Sequence, residues 1–477
     1  MAMATETKTK TEQVIDREDS IRDAGEVDDL EIFGNESNGV KFRTLSWPNA
    51  TVIFLKLIFA TGVLSIPTSM YQLGAVGGCL SVIGWTGWNQ YTAVILYNFR
   101  QRHGPCHSIA DMAGVLAGRA GKELTGIFFV VGNIICTGSA VIAVSTGLNA
   151  LSHHAACTVW WALIGFVVIA GFASIRKLEQ LSWLTWAGFF SVFIAVFIIV
   201  VGVTQIDRPA AAPPTGPFEL GFYAFPPTNP TFEIGMLASC NIYVSSANTG
   251  AFVPVIAEMK NPRDFKKAVH VCMSMIMAFY VTFSLAVYAY CGKWVASPSL
   301  GSAGPTIKMV AYGVGLWGLI MSGAVYTHVA AKYTFVRLLR NTSHLQRNTV
   351  IHWSTWLGCT IGISALGFVI AEAVPIFNYL LALLGSFVYG PLNICLPAML
   401  WLFDHRDWWR SSSANLKAKF RFKFMNQAAY VFHAFFLVLG FFVTVGGTYA
   451  VCMEIKNAYD DGTIGSAFSC ADNSNSS

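Results

Sequence analysis

Two apolar runs in this chain are broken by residues that end or bend a helix. The first, Phe54 to Pro67, contains Thr61, Gly62, Ser65 and Pro67. The second contains Ser245, Ser246, Asn248, Gly250 and Pro254, and leads into the charged run Glu258 to Lys267. A break frees backbone N–H and C=O groups, which are tolerated at membrane depth only where they line a cavity or meet a ligand. Paired breaks at equivalent places in two halves of a chain point to a solute site between them. The expectation is therefore a membrane protein that carries a small solute. Ordinary helix packing is the plainer alternative, because Gly and Ser are common at close helix crossings.

The remaining chemistry-bearing residues are few. Lys56 stands inside the first apolar run, about eight residues or ~12 Å of helix rise from Pro48. It either snorkels to the nearer interface or acts as a titratable charge, since a buried Lys shifts its pKa readily. His328 sits in an apolar run and is a candidate proton relay, though a lone histidine is more often a packed polar residue. Glu233, Glu258 and Glu372 lie at the ends of apolar runs, and no acid lies within one. A site without an internal counter-charge disfavours cationic ligands, because an unpaired buried charge costs several kcal/mol. His153 and His154 lack the third ligand a zinc site needs. There is no GxxxxGK[ST] for nucleotide-driven transport and no intramembrane His/Asp/Glu cluster for catalysis, so neither an enzyme nor a cofactor is expected.

The elements that position these residues follow from composition. Hydrophobic residues make up 54% of the 477, and charged residues 12%, where soluble domains carry roughly 25% charged. With a mean hydropathy of +0.52, the chain is an all-α membrane protein lying in a lipid bilayer, with no nucleic-acid partner. Apolar runs of spanning length predict eleven transmembrane helices: 46–70, 74–99, 124–150, 157–175, 180–204, 232–257, 269–291, 305–337, 350–372, 374–403 and 427–454. The tenth contains Pro375, Gly385, Gly390, Pro391 and Pro397 and is expected to kink. Pro209, Pro213, Pro214, Pro217, Pro226, Pro227 and Pro230 mark an extended connector between the fifth and sixth. Residues 1–43 are polar and acidic and read as a disordered cytoplasmic tail open to cytoplasmic regulators. Residues 44–454 form the transporter domain, and 455–477 a short external tail.

Orientation follows from the cations. Twenty-six Lys and Arg fall on one side of the eleven spans, and four, Arg208, Lys293, Lys308 and Lys456, on the other. Lys56 alone remains inside a span. The N-terminus is thus cytoplasmic and the C-terminus external. Asn35 and Asn341 then face the cytoplasm as unused glycosylation sequons, while Asn475 is external but nearly terminal. The cysteines form no CxxC pair; Cys157, Cys291, Cys452 and Cys470 fall near one face, where a bridge is open to them. The two broken runs are the first and sixth spans. Spans 1–5 and 6–10 are therefore equal halves of inverted topology, with span 11 left over: a 5+5 inverted repeat of the LeuT-like kind, with helices 1 and 6 broken.

Local motifs now carry a family resemblance. Gly62-Val63-Leu64-Ser65-Ile66-Pro67 is similar to the G-[IV]-L-x-[LI]-P element of the amino acid/auxin permease family. Pro254 to Glu258 and on to Pro262 resemble its P-x-x-x-E-[ML]-x-x-P element. Pro375-Ile376-Phe377, Leu384-Gly385-Ser386 and Leu396-Pro397 resemble its tenth-span pattern. The resemblance covers roughly residues 44–454 and is closest to the neutral amino-acid permeases of filamentous fungi.

The resemblance implies a proton symporter importing neutral, aliphatic and aromatic amino acids at the plasma membrane. A vacuolar or lysosomal exporter of the same family is the alternative, and a non-transporting amino-acid sensor a further one. A zwitterion needs N–H groups for its carboxylate and carbonyls for its ammonium. Thr61, Gly62, Val63 and Leu64 are the expected carboxylate binders. Ser245, Ser246 and Asn248 form the second break, and Tyr243, Phe252, Asn133, Thr137 and Ser139 are candidate lining. In sodium-coupled relatives an asparagine that helps to hold sodium falls where Lys56 stands. An ammonium there replaces the cation by a fixed charge and favours protons, through Lys56 and His328.

Overall fold

The computed structural model describes residues 45–474, apart from Ala60, Pro105, His107, Lys177, Pro214, Pro227, Asn229, Arg340, Asn341, Gln346, Asn348 and the stretches 407–415 and 463–466. The acidic tail 1–43 and the sequons at Asn35, Asn341 and Asn475 lie outside the described residues, as do the side chains of 178–182, Ala257 and 416–426.

A bilayer forces every backbone group to find a partner within its own segment, and helices do this. α1 (Trp47–Ile58) starts with Pro48 in its first turn, where the missing N–H has no helical partner to lose. It ends at Phe59 (φ −75, ψ 78), and a 3-10 turn, Thr61–Ser65, follows. α2 (Ile66–Arg102) restarts on Pro67 and breaks again at Gly74, where φ is 74 and ψ is 164. Only glycine adopts that conformation without strain. The freed N–H groups of Ala75 and Val76 donate to the carbonyls of Tyr223 and Ala224, both at 3.0 Å. The proline-rich connector is thus pinned to the corner that separates the expected first and second spans.

α3 (Ile109–Ser152) opens on a capping box between Ser108 and Asp111 and breaks at Ala117 and Gly118. α4 (Thr158–Ala173) and α5 (Leu178–Val203) complete the first half. α6 (Phe232–Val244) is capped by Thr231 and stops at Ser245. A second 3-10 turn, Asn248–Phe252, leads into α7 (Val253–Glu258), then α8 (Phe265–Cys291), α9 (Pro305–Leu339) and α10 (Val350–Ala373). α11 (Phe377–Asp404) contains π-helical turns over Leu384–Cys395 around Pro391, in the stretch where the sequence leads one to expect a kink. α12 (Leu416–Phe442) and α13 (Thr448–Asp460) join through a short π stretch, and the last helix runs beyond the expected boundary at 454.

Among the described residues no named strand occurs; Leu45 and Met259 form an isolated bridge. Among the described residues, seven helices are each long and apolar enough to cross a membrane, and α1 with the Thr61–Arg102 segment makes a further pair bent by 46°. The expected fourth span is α4, a shorter apolar helix. The expected sixth span is the interrupted run α6 to α7. α9 packs along α3 and α5, and α2 along α6 and α8.

Each end of the bundle is tied. At one end, Leu45 N–H donates to Glu258 O (3.1 Å) and Lys260 N–H to Leu45 O (2.8 Å), joining the start of α1 to the end of α7. There too Lys267 sits 4.1 Å over Trp47 and Lys266 5.3 Å over Tyr97. At the other end Cys157 and Cys470 form a disulfide, while Cys291 and Cys452 are free thiols. The bridged tail lies on α3, with Asn149 Nδ2 donating to Asn473 Oδ1 (2.8 Å) and Asn473 Nδ2 to Ser145 Oγ (3.0 Å).

Candidate functional site

The two breaks meet. Gly62 lies so close to Ser245 that a Cβ built on it would fall 2.8 Å from the Ser245 Cα. The absence of a side chain at Gly62 is what permits the approach. Ser245 Oγ is 2.9 Å from Gly62 O and 2.8 Å from Asn241 O, so its single proton serves one carbonyl across the breaks and one within α6. Tyr280 Oη, from α8, donates to Ser245 O (3.1 Å) and Ile58 O (3.3 Å).

A cavity opens at this junction. Its lining includes Ile58, Thr61 and Gly62 from the first break, Val244, Ser245 and Asn248 from the second, and Cys136, Tyr326, Leu381, Leu384 and Tyr389 from α3, α9 and α11. Among the described residues, no charged one lines it. It leaves about 20 Å³ of room for the centre of a water molecule, roughly enough for one water. An amino-acid-sized solute enters only if the surrounding helices move apart.

Of the expected binding residues, Thr61, Gly62, Ser245 and Asn248 are brought together on this cavity. Val63 and Leu64 are fully buried in the 3-10 turn and stand outside the lining. Ser246 turns to the opposite side of the break, where its Oγ accepts from Asn89 Nδ2 at 2.9 Å. Thr92 and Thr249 continue that buried polar seam at 3.3 Å, and Asn393 donates to Ala247 O. The freed carbonyls of the second break are thus met from α11 and α8, while α2 holds its side-chain hydroxyls.

The expected side-chain lining is distributed differently. Phe252 stacks on Phe54 at 4.2 Å, and Tyr243 Oη donates to Tyr389 O at 2.9 Å, directly behind the lining. Asn133, Thr137 and Ser139 hydrogen-bond carbonyls of their own helix. Cys136, Tyr326 and Tyr389 take their place, with Cys136 Sγ 3.8 Å from Tyr389 Oη.

Neither candidate coupling residue lines the cavity. Lys56 is half-buried and turns toward α5, its ammonium 4.1 Å over the Trp186 ring and 3.3 Å from Thr185 Oγ1. Its chain neighbours Leu57 and Ile58 do line the cavity. His328 is fully buried, donates from Nδ1 to Ala173 O at 3.2 Å and meets Trp356 edge-on. Its Nε2 has no protein partner among the described residues.

Outside the spans, Glu219 on the connector is held below the usual carboxylate range by the Tyr223 hydroxyl and then by Lys293. Burial, with Asp111 adding to it, pushes the Cys106 thiol up to about 11, which leaves it an inert packing group. Among the described residues no cluster of three or more His, Cys, Asp or Glu side chains is placed to hold a metal.

Residues 43–451 match the family described as transmembrane amino acid transporter protein. A "Transmembrane transporter" of Gibberella moniliformis is 46% identical over 444 residues, covering 93% of this chain and 91% of its own length. One of Fusarium pseudograminearum is 45% identical over 452 residues, covering 95% and 92%. The "N amino acid transport system protein" of Neurospora crassa is 27% identical over 436 residues, covering 90% and 89%. Among solved structures, the nucleobase-cation-symport-1 family transporter Mhp1, in a closed conformation with bromovinylhydantoin, superposes with a TM-score of 0.51 at 14% identity. That match covers 91% of this chain and 97% of Mhp1. MhsT in complex with L-phenylalanine superposes with a TM-score of 0.52 at 12% identity, covering 83% and 98%. Both neighbours have the LeuT fold, and so does this chain.

Proposed function

The chain belongs to the transmembrane amino acid transporter family, and from that premise we propose that it imports neutral aliphatic and aromatic amino acids by proton symport. One observation carries the substrate class: both helix breaks converge on a single cavity whose lining holds no charged residue. A zwitterion brings its own two charges to such a site and finds partners for both in freed backbone groups. Its carboxylate takes N–H groups of the turn from Thr61 through Gly62 to Val63 and Leu64. Its ammonium takes carbonyls at the ends of α1 and α6, with Ser245, Ser246 and Asn248 shaping the second break. The side chain then meets Leu381, Leu384, Tyr326 and Tyr389, a mixed aliphatic and aromatic surface.

The cavity's small volume fits a transporter that opens to one side at a time by rocking its helices about a fixed site. For the driving ion, Lys56 supports protons: it puts a half-buried ammonium on the first broken span, next to the cavity residues. His328 is the second proton-handling candidate.

The arrangement we infer is eleven spans in the plasma membrane, with a cytoplasmic N-terminus and an external C-terminus. The disulfide between the α3–α4 loop and the C-terminal tail supports that sidedness, because such bonds persist on the oxidising side of a membrane. A vacuolar membrane, whose lumen is equivalent in topology, is the alternative location.

Uptake of labelled leucine and phenylalanine by a transport-deficient cell tests the proposal. Uptake is expected to rise as external pH falls, to ignore sodium and to lose accumulation in a proton-dissipating uncoupler. Sodium-dependent uptake that survives the uncoupler overturns proton coupling. Neutral amino acids should compete, and lysine, arginine, aspartate and glutamate should compete poorly; strong competition by arginine overturns the charge preference. No uptake of either amino acid by surface-expressed protein overturns import itself.

A further inference from the structure

We propose that Tyr280 is a positioning residue for the substrate's ammonium group, acting by holding the carbonyl ends of the two broken helices at a fixed separation. The inference rests on the amino-acid reading of the cavity and adds to it a group that does not line the cavity.

Tyr280 lies in the middle of α8 and is 1% exposed. Its hydroxyl reaches two backbone oxygens, Ser245 O at 3.1 Å and Ile58 O at 3.3 Å. Ile58 is the last residue of α1, and Ser245 caps the end of α6. Both carbonyls therefore belong to the last-turn groups that have no partner in their own helix. They carry the negative ends of the two half-helix dipoles. Ile58 and Ser245 both line the cavity, so the phenol approaches from behind the oxygens that a cation in the cavity would seek.

One hydroxyl proton shared between two carbonyls leaves each oxygen a lone pair for a second donor. The tie thus fixes where the oxygens stand without using up their capacity to accept from an ammonium. Burial excludes water as a substitute, and Phe59 packs against the ring at 6.2 Å between centroids. Ser245 Oγ adds a parallel tie to Gly62 O at 2.9 Å. The relative placement of the two breaks is consequently set by two hydroxyls, one from α8 and one from α6.

Tyr280→Phe removes the tie and keeps the ring. The readouts are KM and Vmax for leucine, and competition by phenylalanine, by 3-phenylpropanoate (which lacks the amine) and by phenethylamine (which lacks the carboxylate). The expected result is a KM raised severalfold to about tenfold, the scale of one lost hydrogen bond between neutral groups. The preference for phenylalanine over 3-phenylpropanoate should shrink by a similar factor, while the preference over phenethylamine stays. If the variant is retained inside the cell, the same two ratios are read by competition binding on isolated membranes. Tyr280→Leu, which removes the hydroxyl without exceeding the volume of the tyrosine, should reproduce the loss. A variant that binds leucine normally, or loses Vmax with both ratios unchanged, overturns the inference and leaves Tyr280 a packing residue. If the unaltered protein binds neither leucine nor phenylalanine, the amino-acid reading itself fails, which this design separates from a failure at Tyr280.

Discussion

Gly62 and Ser245, 183 residues apart in sequence, touch backbone to backbone: a Cβ on Gly62 would fall 2.8 Å from the Ser245 Cα. The contact joins the two helix breaks, and no flexible side-chain end can move aside to relieve it. Gly62→Ala should therefore push the breaks apart at an overpacking cost of about 1–3 kcal/mol. Uptake by Gly62→Ala should fall roughly 5- to 100-fold, on the conversion of roughly 1.4 kcal/mol per decade, while surface expression stays near normal. Measured uptake close to that of the unaltered protein would show that the breaks do not need this contact.

The Cys157–Cys470 disulfide closes a loop spanning 313 residues and pins the tail against α3. Bridges of this kind typically contribute about 2–4 kcal/mol. Cys470→Ser should lower the thermal unfolding midpoint of purified protein and free the tail contacts made by Asn473. The bridge also tests sidedness. In intact cells at the plasma membrane, a membrane-impermeant maleimide should label Cys157 and Cys470 only after external reduction. Labelling that requires permeabilised cells would place this end of the bundle in the cytoplasm or in a lumen.

The two breaks were legible because Gly, Pro, Ser and Asn are the residue types that end or bend a helix, and Gly62, Pro67, Ser245 and Pro254 stand out in apolar surroundings. Gly74 was harder to see, since its left-handed backbone is needed only because the connector passes there. The cavity's other walls were not legible. Cys136, Tyr326 and Tyr389 are single residues in long apolar helices, and which one turns inward depends on packing between segments far apart in sequence. The π turns of Leu384–Cys395 make this worse, because a wider turn shifts which side chains share a face. Asn133, Thr137 and Ser139 were plausible as lining by polarity alone; hydroxyls and amides in apolar helices also bond back to their own backbone, as these do.

The connector carries a pH expectation of opposite character to the spans. Glu219 has a depressed pKa, owed first to the Tyr223 hydroxyl and then to Lys293. A group with a lowered folded-state pKa contributes above its unfolded value and loses that contribution as pH falls through the folded one. Over external pH values above the ordinary 4.5 of a glutamate, Glu219 stays ionised and its contacts persist. Glu219→Gln should therefore leave the slope of uptake against pH unchanged over that range. A flattened slope would assign acid activation to the connector instead of the spans.

Lys56 is the sharpest test of coupling, because its geometry allows two distinct outcomes. Its ammonium lies 4.1 Å over Trp186 and 3.3 Å from Thr185 Oγ1, so it faces α5 while its neighbours Leu57 and Ile58 face the cavity. A cation over an aromatic ring gains about 0.5–2 kcal/mol, enough to hold the side chain on α5 without fixing its protonation state. As a coupling charge, it gains or loses a proton as α1 moves relative to α5. Lys56→Gln should then abolish accumulation against a gradient while still permitting exchange of internal for external leucine. Lys56→Arg keeps the charge and the ring contact but cannot release a proton, so it should resemble Gln in accumulation and the native residue in expression. Lys56→Asn should lose proton drive and, if the position can hold an ion, gain a response to sodium. Normal pH dependence in Lys56→Gln would reduce Lys56 to an anchor between α1 and α5. His328, whose buried Nε2 has no partner among the described residues, would then be the next group to replace.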